Sequence, residues 1–497
     1  MANVSQGLIN LALMAAAAAA VLGMLVFWGI PGVKRRLERL LGESPRTGIT
    51  ELFFSLQATT LREMMLTLQR ATTGKPANHP MGSPMATPWL DEFGWDPATL
   101  DPPARPRGSA VALAARLGPR AHRPLRLEFP VLIAPMGYGI ALNWATKVAL
   151  AQASALTGIA TNSGEGPFLP AERAYAARWV LQFGRGPWNH QSATIRLADM
   201  VEIQLGQGSE ADTGVRKSPQ HLPRRIRQAT DHPERTFRIH GGIPFSLRRV
   251  VARIRRLNPE VPVGVKIPAS DHLEHDIARL LGLKIDVLTV DGAEAASSSS
   301  PAVISDHFGL GCLEAVVRAD VWLKALGQRE HVSLVASGGV RGADDIAKLL
   351  ALGADAVAVG SALLMAASHG QVHRVVPRFG PTRLVLASPQ LSPRDTLDVD
   401  MAAIHAVNWL KATQGELGLI AQAAGVAGLD ELGPQHLIPR TARARALLAY
   451  AKQGGAEEGF RVLVEVWIRH YGILNRTLTR LLDAAGRLWQ PTARLRR

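Results

Sequence analysis

The sequence predicts an α/β fold, a (β/α)8 TIM barrel, flanked by an N-terminal transmembrane helix and a C-terminal helical extension. Three observations predict it. The stretch from Val335 to Met365 reads as strand, glycine turn, helix, strand and second glycine turn. About eight apolar, strand-like runs alternate with helical stretches along the chain, the pattern of such a barrel. No GxGxxG fingerprint follows the first strand, where the competing doubly wound sheet usually carries one.

The glycine turns carry the first functional reading. Ser337-Gly338-Gly339 and Gly360-Ser361 close neighbouring parallel strands. Two such turns after the last two strands of a barrel form a phosphate cradle, because free backbone N–H groups and helix dipoles stabilise a dianion. A cradle of this kind suits a flavin or a sugar phosphate. The plainer alternative is an ordinary βαβ unit with tight turns.

The totals limit what else is possible. The chain has 497 residues and a formal charge of +15, enough for a barrel with extensions. Its arginines are scattered, and no RNA- or DNA-binding motif accompanies them, so no nucleic-acid partner is expected. Cys312 is the only cysteine. That excludes an intrachain disulfide and any cysteine-ligated cluster made by this chain alone.

Taken in order, Leu8 to Ile30 is almost wholly apolar, with Asn10 its one strongly polar residue. It is long enough to cross a bilayer. Lys34-Arg35-Arg36 and Arg39 follow, which predicts a single-pass anchor in a bacterial inner membrane with the barrel in the cytoplasm. A cleaved signal peptide fits less well, because the charges come after the apolar run. Residues 1–33 are therefore read as the anchor, 34–125 as a helical and irregular extension, 126–390 as the barrel and 391–497 as the C-terminal extension. Within the second segment, Thr50 to Thr72 reads as a helix and Thr73 to Gly108 as irregular chain.

Pro130 to Gly139 is the first buried strand, followed by a helix over Asn143 to Leu156 and a strand over Gly158 to Thr161. Further strands are expected at Trp179 to Phe183, Val201 to Leu205, Val263 to Ile267 and Val287 to Val290, then around Leu334 and Val357. Asp398 to Thr413 and Gly415 to Ala424 read as two helices, Gly428 to Leu437 as a short helix-turn-helix cap. Thr441 to Gln453 and Gly459 to Leu482 read as two more helices.

Several of these stretches together resemble the FMN-binding domain of glutamate synthase, and most of all its stand-alone, membrane-anchored bacterial relatives. They are PVLIAPMGYG, TNSGEG at Thr161 to Gly166, Gln182 to Gly186, Val201-Glu202-Ile203 with Gln207-Gly208, NPEVPVGVK ending at Lys266, Asp291-Gly292-Ala293-Glu294, and the two glycine turns. The resemblance runs from about Arg105 to Leu437 and implies a barrel that holds FMN at the carboxyl ends of its strands. It implies that Met136 and Gly137 approach the flavin ring, and that Ser163 and Gln182 hydrogen-bond its edge. Lys266 would place a cation by the ring, where it stabilises the reduced anion. Ser337, Gly338, Gly339, Gly360 and Ser361 would hold the phosphate, and Glu165 would lie by the substrate. Lys266 and Glu165 are the implied catalytic residues. In the family, reduced FMN passes a hydride to 2-iminoglutarate, so an amino or keto acid is the implied substrate. An electron-donor or amidotransferase subunit is the implied partner.

Plainer roles stand beside these. Glu165 could serve as a helix N-cap partner or an exposed loop acid, Lys266 as a barrel-mouth salt bridge, and Cys312 as a buried small residue. The chain also departs from the family. Asp291 to Pro301 reads DGAEAASSSSP where the family has a glycine-rich loop. Glu210 and Gln204 stand where it has lysines, and Pro167 replaces a second glycine. Two functions are therefore expected: an FMN-dependent oxidoreductase of glutamate-synthase type, or a flavin-binding or inactive barrel that acts as a membrane-tethered scaffold.

Overall fold

The structure is a computed structural model that describes residues 67, 68, 70–72, 74, 89–100, 103–218, 220, 222, 224–228, 236–239, 241–296, 308–376, 381–388 and 396–453. Eight parallel strands close into a barrel. They are β4 (Val131–Ile133), β5 (Ala160–Asn162), β6 (Trp179–Phe183), β7 (Met200–Gln204), β10 (Val263–Pro268), β11 (Val287–Asp291), β12 (Ser333–Ser337) and β13 (Ala356–Val359). β13 pairs with β4, Val357 against Val131, and closes the ring. All eight expected strands are present, and the open-sheet alternative is excluded.

Apolar runs make the strands because both faces are covered. Outward residues such as Val201, Ile203, Val263 and Val265 join the large core under the helices. Inward residues change along the strand. On β7 the order is Met200, Glu202, Gln204; on β11 it is Val287, Thr289, Asp291. The amino-terminal end of the barrel is thus packed with apolar side chains, and its carboxyl end is polar.

Two strands outside the barrel, β2 (Ala115–Leu117) and β3 (Leu125–Leu127), form a hairpin. Leu117, Leu125 and Leu127 share one buried cluster with Leu132, Val180, Met200 and Val287. The hairpin therefore plugs the apolar end. At the other end, β8 (Val215–Lys217) and β9 (Phe237–Ile239) form a second hairpin.

The outer helices include α1 (Trp144–Thr157), α2 (Pro170–Tyr175), α3 (Ser192–Arg196), α4 (Arg224–Gln228), α5 (Leu247–Leu257), α6 (Leu273–Leu281), α7 (Cys312–Ala325), α8 (Ala343–Ala351) and α9 (Ser361–Ser368). Asn143 caps α1 by accepting from the Thr146 N–H, and Gly158 ends it at φ 69°. Two more helices follow the barrel, α10 (Val399–Ala423) and α11 (Ala442–Gln453).

Three expectations need correction. The two helices expected across Asp398 to Ala424 are one, α10, which runs through Gly415 and Gly418. A glycine costs about 1 kcal/mol in a helix interior, and burial of Trp409, Leu410, Leu417 and Ala421 outweighs it. The stretch read as irregular up to Gly108 contains strand β1 (Phe93–Trp95), which pairs with β14 (Leu437–Pro439). The cap expected over Gly428 to Leu437 is two 3-10 turns, Leu429–Glu431 and Pro434–His436, leading into β14. The apolar segment Leu8 to Ile30, most of the helix expected over Thr50 to Thr72, and the helix expected over Gly459 to Leu482 lie outside the described residues. Among the described residues no helix is long and apolar enough to cross a membrane.

Candidate active site

The carboxyl ends of the strands gather most of the expected site residues. After β12, Gly338 and Gly339 adopt φ 127° and 68°, conformations that only glycine holds without strain. After β13, Gly360 precedes α9, and Ser361 is that helix's first residue. The N–H groups of Gly338, Gly339, Gly360 and Ser361 find no acceptor among the described residues. Unpaired backbone donors at one place are the chemistry of an anion site. A Cβ on Gly360 would stand 3.5 Å from Ala134 and 3.9 Å from the Met136 sulfur. The Met136 side chain therefore lies beside the cradle.

Ser337 is placed differently from the expectation. Its hydroxyl donates to Asp291 Oδ1 at 2.6 Å, inside the barrel. Asp291 Oδ2 accepts from Lys266 Nζ at 3.1 Å and from the Gly208 N–H at 3.0 Å. Lys266 and Asp291 are both 1% exposed. The plainer reading of Lys266 as a barrel-mouth salt bridge is what the geometry contains. It also holds the ammonium at the mouth, since Asp291 is fixed on its other oxygen by Ser337.

The loops after β4 and β5 interlock. A Cβ on Gly137 would sit 1.9 Å from the Glu165 carbonyl oxygen, and one on Gly164 would sit 2.3 Å from the Gly137 nitrogen. These glycines thus serve a backbone-to-backbone contact between the loops. Ser163 Oγ accepts from the Gln182 N–H at 2.9 Å. Glu165 is buried, and its Oε1 accepts from the Gly186 N–H at 2.6 Å. It is therefore not an exposed acid; it ties the loop after β5 to the loop after β6.

Several residues to which the sequence reading gave no role complete the site. Lys147 on α1 reaches beneath the Thr161 to Gly166 loop and donates to the carbonyls of Asn162 and Ser163 at 3.0 and 3.2 Å. It also pairs with Glu172 at 2.7 Å. Burial keeps the Glu172 carboxyl above its ordinary value, against the pull of Lys147. Glu202 accepts from Asn162 and Gln182, each at 3.0 Å, and from Thr289 at 2.8 Å. The signals for Glu202 were an acid at an inward position of an apolar strand and its place in the Val201-Glu202-Ile203 stretch that carries the resemblance. Lys147 gave no such signal, because its partners come from α2 and the β5 loop.

Glu294 lies next to the cradle. Its carboxylate accepts from the Cys312 N–H at 2.9 Å and would stand 3.1 Å from a Cβ on Gly338. Burial, then repulsion from Asp291, pushes this carboxyl up to about 7, against hydrogen bonds from its own N–H and that of Cys312. Cys312 is buried, and burial pushes its thiol well above the ordinary value. It is the buried small residue of the plainer reading. Glu210 is buried in the turn Gly208–Glu210, which packs against Ala293–Ala295. Residues 297–307, which include the serine run, lie outside the described residues.

Comparison with known proteins agrees with this geometry. The conserved region in glutamate synthase matches residues 115–427. A glutamate synthase large subunit-like protein of Rhizobium meliloti is 29% identical over 368 residues, 68% of this chain and 80% of that protein. The archaeal-type glutamate synthase [NADPH] of Thermotoga neapolitana is 28% identical over 330 residues, 65% of this chain and 64% of that protein. The archaeal glutamate synthase [NADPH] of Methanocaldococcus jannaschii is 28% identical over 326 residues, 64% of this chain and 63% of that protein. The chain thus spans less than two thirds of the length of these last two. With the family's conserved region covering the whole barrel and its site loops, the chain belongs to the glutamate synthase family.

Proposed function

We propose that this chain is an FMN-dependent oxidoreductase of glutamate-synthase type that acts on an amino or keto (imino) acid. One observation carries the reading: four unpaired N–H groups, of Gly338, Gly339, Gly360 and Ser361, stand at the same barrel mouth as a buried lysine. The donor set fits a phosphate dianion, and the glycine conformations leave room for its close approach. When bound, FMN supplies the hydride chemistry. The protein's part is to hold and tune it. The cradle binds the phosphate, and Met136 lies beside the cradle. Lys266, fixed by Asp291, brings a positive charge that favours added negative charge at the mouth. Glu165 holds the loops after β5 and β6 together, which shapes the space left for substrate.

The reading extends to the cell. Leu8 to Ile30 anchors the chain in the inner membrane, and Lys34-Arg35-Arg36 keeps the barrel in the cytoplasm. Electrons come from a partner subunit or directly from the substrate, because a single cysteine cannot build a cluster.

The second reading, a membrane-tethered scaffold that has lost catalysis, draws on one specific feature. Ala211, in the turn that departs from the family pattern, sits at φ 47° and ψ −125°, a conformation unfavourable for a residue with a Cβ. The turn beside Lys266 is thus unlike an unstrained substrate loop.

The visible spectrum of the full chain, purified in detergent, tests both. Flavin bands released as FMN on denaturation are expected, and Gly339→Ala should lose most of the flavin. Bleaching of the bound flavin by an amino acid under anaerobic conditions identifies the oxidoreductase. A yellow protein that no amino or keto acid pair reduces or reoxidises selects the scaffold, and a chain that takes up no FMN overturns the proposal.

A further inference from the structure

We infer that Glu202 is a positioning residue: its carboxylate fixes which way the Gln182 carboxamide faces the barrel mouth and places an uncompensated negative charge beneath it. The inference rests on the FMN reading above. Glu202 lies inside the barrel on β7 and is 4% exposed. Oε1 accepts from Asn162 Nδ2 and Gln182 Nε2, each at 3.0 Å, and Oε2 accepts from Thr289 Oγ1 at 2.8 Å. These donors come from three other strands. The reach to Thr289 crosses β10 at Gly264, where a Cβ would meet the Met200 methyl at 2.6 Å. No cation pairs with Glu202 among the described residues; Lys266, on the adjoining strand, is bonded to Asp291. Neutral donors alone therefore hold this buried carboxylate.

Two consequences follow from acceptor chemistry. An ionised carboxylate only accepts, so each carboxamide beside it must turn its NH2 toward it. Gln182 Nε2 is then committed to Glu202, and its Oε1 is left as an acceptor; no described residue donates to it. Gln182 can therefore receive a hydrogen bond from a ring N–H through Oε1, while one N–H of its Nε2 stays with Glu202. Asn162 is turned in the same way, and its Oδ1 accepts from the Gly164 N–H at 3.0 Å. One carboxylate thus orients Gln182 and, through Asn162, the loop that carries Ser163 and Glu165. The third consequence is electrostatic. Glu202 sets a carboxylate below the mouth that opposes the positive charge of Lys266 and resists the addition of electrons there.

The test is the midpoint potential of bound FMN, measured in the full chain by anaerobic titration against a reference dye. Glu202→Gln removes the charge and the orienting constraint while keeping the shape. It should hold FMN, shift the potential in the positive direction and alter the visible bands. A variant with FMN bound, a lowered Tm and an unchanged potential would show a purely structural residue and overturn the inference. Gln182→Leu provides the second arm if Glu202→Gln does not fold. It keeps the charge and removes the carboxamide, so the flavin bands should move; unchanged bands overturn the orienting role. A wild-type chain that binds no FMN defeats the proposed function itself, whereas a wild type that binds FMN beside unaltered variants defeats this inference alone.

Discussion

Glu294 shows how a single side chain can report on the cradle. Its carboxyl sits at about 7 in the folded protein against an ordinary 4.5. Between those values the unfolded chain is ionised while the folded chain keeps its proton. Folding then takes up a proton, and this group's contribution to stability falls as pH rises, levelling off above about 7. Glu294→Gln, which cannot ionise and can still accept from the Cys312 N–H, should melt higher than the wild type at pH 8. The difference should vanish near pH 4.5; a constant difference across the range would place the carboxyl at an ordinary value. The residues around it were unequally legible. Gly338 and Gly339 could be read from the sequence, because a glycine pair after an apolar run has few other uses. Lys266 could be read as a strand-end cation, but its bond to Asp291 joins residues far apart in the chain and appears only once the barrel closes.

At the scale of elements, Lys147 joins three of them. It lies on α1, pairs with Glu172 on α2 and donates to the carbonyl groups after β5. Both charges are buried, so removing one strands the other. Lys147→Met should cost about 3–5 kcal/mol in denaturant unfolding, and adding Glu172→Leu should recover much of that loss. If the double variant is no more stable than the single one, the pair is not an energetic unit. Strand and helix positions were legible where the period was strong, as in β6, β10 and α8. They were misread where packing overrode local preference. Gly415 looks like a helix end, and only the buried face of α10 against α1 and α9 carries the helix through it. Phe93 to Trp95 looks irregular because its partner strand, Leu437 to Pro439, lies at the other end of the barrel sequence.

At the scale of the whole molecule, the C-terminal extension is part of the fold. α10 packs against α1, α8 and α9, and β14 pairs with β1 across the full span of the barrel. A chain cut before residue 396 would expose the faces that α10 covers and leave buried Phe93 without its partner strand. It should be insoluble or lose cooperative unfolding, and a soluble, cooperatively folded product would show that the barrel stands alone. The sequence by itself determined the class of fold, the number and order of barrel strands, the glycine cradle and the family. Those depend on local period and on residues whose backbone needs are specific, so they survive without coordinates. The tertiary structure alone decided how the charges are shared: Lys266 with Asp291, Lys147 with Glu172, Glu202 with three neutral donors. A buried charge must find its partners through space, and in a closed barrel those partners come from strands that the linear sequence keeps apart.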